Sequence, residues 1–82
     1  MALSPSKNRK GINMYSDTPL PPYTYNVFLI AARTKIERYG EPWEDVLEEY
    51  KKAMTEEQWR ECFLTLQEEG YIPTDVDIED YV

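Results

Sequence analysis

An all-α fold, a compact domain of three short helices, is what this sequence predicts, and three observations lead there. Between Glu41 and Ile72 the apolar residues recur at three- and four-residue steps in two consecutive runs. Helix start and stop residues bracket those runs: Pro42, then Thr55 with Gln58, then Gly70 followed by Pro73. An earlier periodic run ends at Gly40. The helices are expected at about 24–39, 42–54 and 55–70, after a disordered arm over 1–22 and before a short acidic C-terminal strap. Residues 23–82 would form the single small helical domain.

The first helix follows Pro19, Pro21 and Pro22, which favour extended backbone and delay helix formation, so Thr24 is the expected N-cap. Tyr25, Phe28, Leu29, Ala32, Ile36 and Tyr39 share one side, and Val27 and Ile30 widen the apolar arc. On that count it should be the most buried of the three helices. The second helix has Pro42 in its first turn, a face of Trp43, Val46, Leu47, Tyr50 and Met54, acids Glu44 and Asp45 at its start and Lys51 and Lys52 at its end. Each sign faces the favourable end of the helix dipole. Thr55-Glu56-Glu57-Gln58 matches a capping box, in which the Thr55 hydroxyl takes the Gln58 N–H and the Gln58 side chain reaches back to Thr55. A third helix should therefore begin with almost no loop, burying Trp59, Cys62, Phe63 and Leu66. Gly70 supplies a left-handed stop, and Ile72 can fold back on Leu66.

The ends are simpler. Lys7-Asn8-Arg9-Lys10 forms a basic cluster whose ordinary role is a solubilising tail, with phosphate contact the sharper alternative. In the last nine residues Val76 and Ile78 alternate with acids, which suits an extended strap or short edge strand; a final helical turn capped by Thr74 is the alternative. Asp75, Asp77 and Glu79 are spaced like the start of a calcium loop, but the central glycine and distal glutamate such a loop needs are missing.

Composition excludes more than it assigns. The 82 residues hold one cysteine and no histidine, so disulfide frameworks, Cys/His zinc sites and histidine acid–base catalysis fall away within one chain. Cys62 lies on an apolar stripe with no histidine to activate it, which reads as a structural thiol. No glycine-rich phosphate loop or nucleophile elbow occurs. A non-enzyme without cofactor or metal is expected. No run approaches about 18 apolar residues, so the expectation is a cytoplasmic protein without membrane contact.

The formal charge of −7 is unevenly distributed. Residues 1–40 balance at +4, from Lys7, Arg9, Lys10, Arg33, Lys35 and Arg38 against Asp17 and Glu37; residues 41–82 balance at −11. Folding the basic front onto the acidic back would relieve repulsion. A helix–turn–helix DNA reader is disfavoured, because its last helix would present Glu56, Glu57, Glu61, Glu68 and Glu69 to phosphates.

The run Pro22-Tyr23-Thr24-Tyr25-Asn26-Val27-Phe28-Leu29-Ile30-Ala31-Ala32-Arg33, continuing into Pro42-Trp43-Glu44-Asp45-Val46-Leu47, resembles small accessory proteins of Gram-positive conjugative transposons and related phage-like elements. The resemblance rests on helical spacing and short linkers over roughly residues 20–70, and it carries no site residue. It implies a bacterial intracellular setting and a regulatory or interaction role.

Two functional expectations follow. The first is a small protein-interaction module whose acidic helical face takes a protein partner with a basic surface, through Glu44, Glu48, Glu49, Glu57, Glu61 and Glu68, with Trp43 or Tyr50 where exposed. The alternative is a nucleic-acid accessory factor for recombination or transcription, using Lys7, Arg9, Lys10, Arg33, Lys35 and Arg38. A homo-oligomer contact would assist a core this small.

Overall fold

The first helix is set by a proline. Pro22 occupies its first position, where a missing N–H costs nothing, and the Tyr25 N–H closes the opening turn on the Pro21 carbonyl at 2.9 Å. In the computed structural model, which describes residues 15–82, α1 therefore spans Pro22–Glu37, α2 spans Trp43–Tyr50 and α3 spans Glu56–Glu68, with a 3₁₀ turn at Ile78–Asp80. There is no strand among the described residues. The expected three-helix architecture is present. Thr24 is not the cap of α1: the helix begins two residues earlier, with no side-chain cap at all.

Each helix pair is in contact, and α3 supplies the centre of the core. Its Trp59, Cys62, Phe63 and Leu66 are fully buried. Val46, Leu47 and Tyr50 of α2 meet them, with Met54 and Ile72 closing the two corners. From α1 only Leu29 and Ala32 are buried. The expectation that α1 is the most buried helix is thus reversed: Val27 and Ile30, counted toward its apolar arc, are exposed on the opposite side.

α2 is shorter than predicted, ending at Tyr50 rather than 54, and a hydrogen bond accounts for it. In a continued helix the Leu47 carbonyl would accept the Lys51 N–H. Here Lys51 N–H turns to the Glu48 carbonyl at 3.3 Å, and the buried indole N–H of Trp59 donates to Leu47 at 2.7 Å. Residues 51–54 become a turned corner, with Lys51 and Lys52 lying beyond the helix. The Lys51 ammonium sits over the Trp59 ring at 5.3 Å.

Thr55 caps α3 as expected, its hydroxyl accepting the Gln58 N–H. The other half of the predicted capping box does not form. The Gln58 amide instead holds the backbone of Leu20, accepting its N–H and donating to its carbonyl, both at 2.9 Å. Ser16 N–H adds a bond to the Met54 carbonyl, and Tyr15 packs edge-on against Trp59. Residues 15–21 are accordingly a pinned lead-in that bends at Asp17 and Thr18, which shortens the expected arm; residues 1–14, with the basic cluster, lie outside the described residues.

The C-terminus of α3 closes on Gly70 at φ 93°. The Gly70 N–H reaches Gln67 O and the Tyr71 N–H reaches Leu66 O, the paired bonds of a glycine-terminated helix. Ile72 folds back on Leu66 as predicted. Beyond it the strap is held by Gln67, whose amide N–H₂ donates to Pro73 O at 2.8 Å and Val76 O at 3.0 Å. The strap then ends in the 3₁₀ turn, capped by Asp77 rather than Thr74. Tyr81 from this turn packs 5.1 Å from Trp43.

Replacing Trp59 by Phe keeps an aromatic ring but strands the buried Leu47 carbonyl. We expect a loss of about 2–3 kcal/mol from the unpaired acceptor and the partial cavity. Urea titration of Trp59→Phe, followed by far-UV circular dichroism, measures it.

Candidate partner-binding faces

Because each helix buries one stripe, its remaining charges are sorted by angle. On α3 the residues opposite Trp59 and Leu66 are Glu57, Glu61, Leu64 and Glu68, all exposed. They follow one another at helical spacing and form a row about 16 Å long at 1.5 Å per residue. Leu64, half exposed at 50%, sits inside this acidic row. On α2 the outward acids are Glu44 and Glu48, with Glu49 toward α1.

These two acidic sets lie on different helices, each turned away from the shared core, so the acids expected to act together form two rows. Glu48 pairs with Lys51 at 3.6 Å and Glu49 with Lys35 at 3.4 Å. Among the described residues Glu44, Glu57, Glu61 and Glu68 make no ion pair. Of the two rows, the one on α3 is therefore without a cationic partner among the described residues. Like charges at Glu57 and Glu61, four residues apart, cost a helix a few tenths of a kcal/mol (~0.2–0.5) rather than supporting it.

The expected aromatic contacts are not on the surface. Tyr50 is 3% exposed, its ring edge-on to Phe28 at 4.9 Å with the Lys35 ammonium 5.9 Å above it. Trp43 is half-buried between Phe63 and Tyr81. Both serve packing. The exposed large apolar side chains are others: Leu64 on α3, Tyr23, Val27 and Ile30 on α1, and Tyr39 after it. Leu64 was visible in the sequence, since it completes the same helical stripe as Glu57, Glu61 and Glu68.

The basic residues proposed for nucleic acid are dispersed. Arg33 forms a two-pronged pair with Glu69, at 2.7 and 2.8 Å. That bond raises the Arg33 pKa and lowers that of Glu69. Lys35 lies between Glu49 and the Tyr50 ring. Arg38 is exposed at the end of α1. Lys7, Arg9 and Lys10 fall outside the described residues. Arg60, the main basic group of α3, bridges Glu56 and Glu79 at 3.0 and 2.9 Å, which ties the strap to the helix.

Cys62 is fully buried, and desolvation pushes its thiol up to about 12 despite the nearby Arg33 charge. Burial likewise raises the phenols of Tyr15 and Tyr50 to about 12. Among the described residues no group of three or more histidine, cysteine or carboxylate side chains is arranged to hold a metal ion, and no helix is long and apolar enough to cross a membrane. Protein-family models, curated proteins and solved structures were compared with this chain, and none matches.

Two outcomes test this electrostatic layout. A protonated, buried Cys62 should react with an aromatic disulfide reagent at pH 8 only as fast as the domain opens, and at full thiol rate in urea; rapid reaction of the folded protein would contradict the burial. Arg33 holds the Glu69 carboxyl below its usual 4.5. The native state thus binds this proton less tightly than the unfolded chain, so the pair's contribution is complete above about pH 4.5 and is lost as pH falls through the lowered native value. Glu69→Gln should narrow its stability gap to the parent between pH 6 and pH 3, measured as urea midpoints.

Proposed function

We propose that this protein is a protein-interaction module, with the outward row of α3 as its contact surface and a basic protein surface as its partner. The observation that carries the reading is the combination of three glutamates without an ion pair among the described residues and a half-exposed leucine on one helical stripe. Unpaired carboxylates steer a basic partner, and Leu64 gives the encounter an apolar anchor to desolvate. Glu44 and Glu48 on α2 extend the negative field without forming the same patch. No catalytic group enters this reading, and a regulatory or accessory role in a mobile element, the setting implied by the resemblance of residues 22–33 and 42–47, suits an adaptor of this size.

The test is affinity capture of the tagged chain from its host lysate, with and without nuclease, beside a variant carrying Glu57→Lys, Glu61→Lys and Glu68→Lys. The expected result is a stoichiometric protein that survives nuclease, elutes with salt and is lost from the reversed row. Capture unchanged by the reversal, in a variant with parental circular dichroism, overturns the assignment. Enrichment that disappears with nuclease would transfer the function to Lys7, Arg9, Lys10 and Arg38.

A further inference from the structure

We infer that a second copy of this chain docks on the outer face of α1, forming an antiparallel two-fold dimer that leaves the acidic row of α3 free on both subunits. The surface is apolar, whereas the outward stripes of α2 and α3 are acidic. Tyr23, Val27, Ile30 and Thr34 fall within about 60° of arc at 3.6 residues per turn, directly opposite the buried Leu29 and Ala32. Tyr23 is 79% exposed and Ile30 58%. This is a helix with an apolar stripe on both sides, and the described chain covers only one of them.

Charge selects the occupant. Residues 18–32 carry no charge at all in a chain of net charge −7. The outward faces of α2 and α3 are acidic, so two copies repel each other there and approach with least repulsion along the first half of α1.

Shape selects the register. Beside this stripe lies a cavity of ≈ 470 Å³ lined by Ile30, Arg33, Thr34, Glu37 and Arg38. The first four stand at i, i+3, i+4 and i+7, the set of four residues that forms a hole for a knob from a facing helix. The protruding knob on the same helix is Tyr23. Seating Tyr23 of one copy in the hole of the other, and the reverse, places the two-fold axis at the level of Phe28. Val27 of one copy then faces Ile30 of the other, so one register pairs all three exposed apolar side chains of the helix. It also brings the Tyr23 ring beside Arg38, where a guanidinium stacks well on an aromatic face. The two Arg38 residues end about 29 Å apart along the axis at 1.5 Å rise, well beyond a Debye length of about 10 Å. A parallel arrangement would set them side by side. The contact is isologous, as a closed dimer requires. One helix pair buries less than the ~1,200 Å² of a standard interface, so the dimer is weak and concentration-dependent.

Sedimentation equilibrium of the full chain from ~10 μM to ~1 mM spans the range of such association. The parent should pass from monomer to dimer. Ile30→Glu and, independently, Tyr23→Ala should weaken the dimer at least about tenfold, as loss of a central interface anchor does. Leu64→Glu, which adds the same charge on α3, should leave it in place. A parent that stays monomeric throughout overturns the proposal, whether the stripe is then covered by residues 1–14 or by another protein. So does a dimer lost in Leu64→Glu and kept in Ile30→Glu. Register is read at ~1 mM, to offset the weakening, by mixing Tyr23→Cys chains with Thr34→Cys chains under mild oxidation, since the mixed dimer keeps one Tyr23 anchor: the mixed disulfide should form in preference to either homodimer, whereas homodimer disulfides alone would mean a parallel pairing and overturn the proposal.

Discussion

The indole N–H of Trp59, aimed at the Leu47 carbonyl, is the contact on which the arrangement of the helices depends. A fully buried tryptophan brings a large apolar payload but also a donor that must be satisfied. The nearest acceptor able to satisfy it belongs to the last full turn of α2. Accepting that bond releases Leu47 from its helical partner, ends α2 at Tyr50 and turns the chain through Lys51–Met54. The corner then delivers Thr55 in the extended conformation that caps α3. One hydrogen bond thereby joins the termination of one helix, the initiation of the next and the burial of the largest core side chain. Phe63, one turn on, carries the packing from Trp59 to Trp43 and Tyr81.

Two glutamines on α3 extend this organisation to the chain ends. Gln58 and Gln67 lie on opposite flanks of the buried stripe, at 100° per residue. Gln58 ties down the backbone at Leu20 and Gln67 ties down that at Pro73 and Val76. A primary amide suits this because it donates and accepts at once and carries no charge to desolvate. Segments with no regular structure are thus fastened to α3 through a few backbone groups, and each delivers an aromatic ring: Tyr15 onto Trp59, Tyr81 onto Trp43 and Phe63. The helical core is small, and these terminal straps enlarge it.

Much of the fold was legible because its signals are local. The buried stripe of α3, the Thr55 cap, the Gly70 stop and the return of Ile72 onto Leu66 each depend on residues within seven positions of one another. What was not legible depended on distant partners. Gln58 satisfied a local capping pattern, yet its amide bonds a residue 38 positions away. The early end of α2 depended on an indole twelve residues on. α1 misled for a different reason. Its residues are apolar on both sides, so periodicity could not say which side faces inward, and Val27 and Ile30 were counted with the core. Of the candidate contacts, the exposed glutamates were readable from helical angle, whereas Trp43 and Tyr50 lie on the apolar face of α2 and were contacts only where exposed, a condition that Phe28 of α1 and Tyr81 of the strap remove by packing against them.

The charge asymmetry between the two halves of the chain is resolved only in part by folding. Arg33 on Glu69 and Lys35 on Glu49 bring basic front onto acidic back, and Arg60 and Lys51 neutralise acids close to them in sequence or in the strap. Those pairs lie along the seams between elements, where a cation can reach both sides. No cation of the described residues reaches the outer stripe of α3, because every seam-forming base is directed sideways or inward. Part of the leftover negative charge is therefore a continuous row on the outside of α3, while α1, which contributes the pairing bases from its C-terminal half, leaves an uncharged N-terminal half facing out. A three-helix domain built this way carries two unlike surfaces on one small core: an acidic stripe on α3 and an uncharged, apolar stripe on α1.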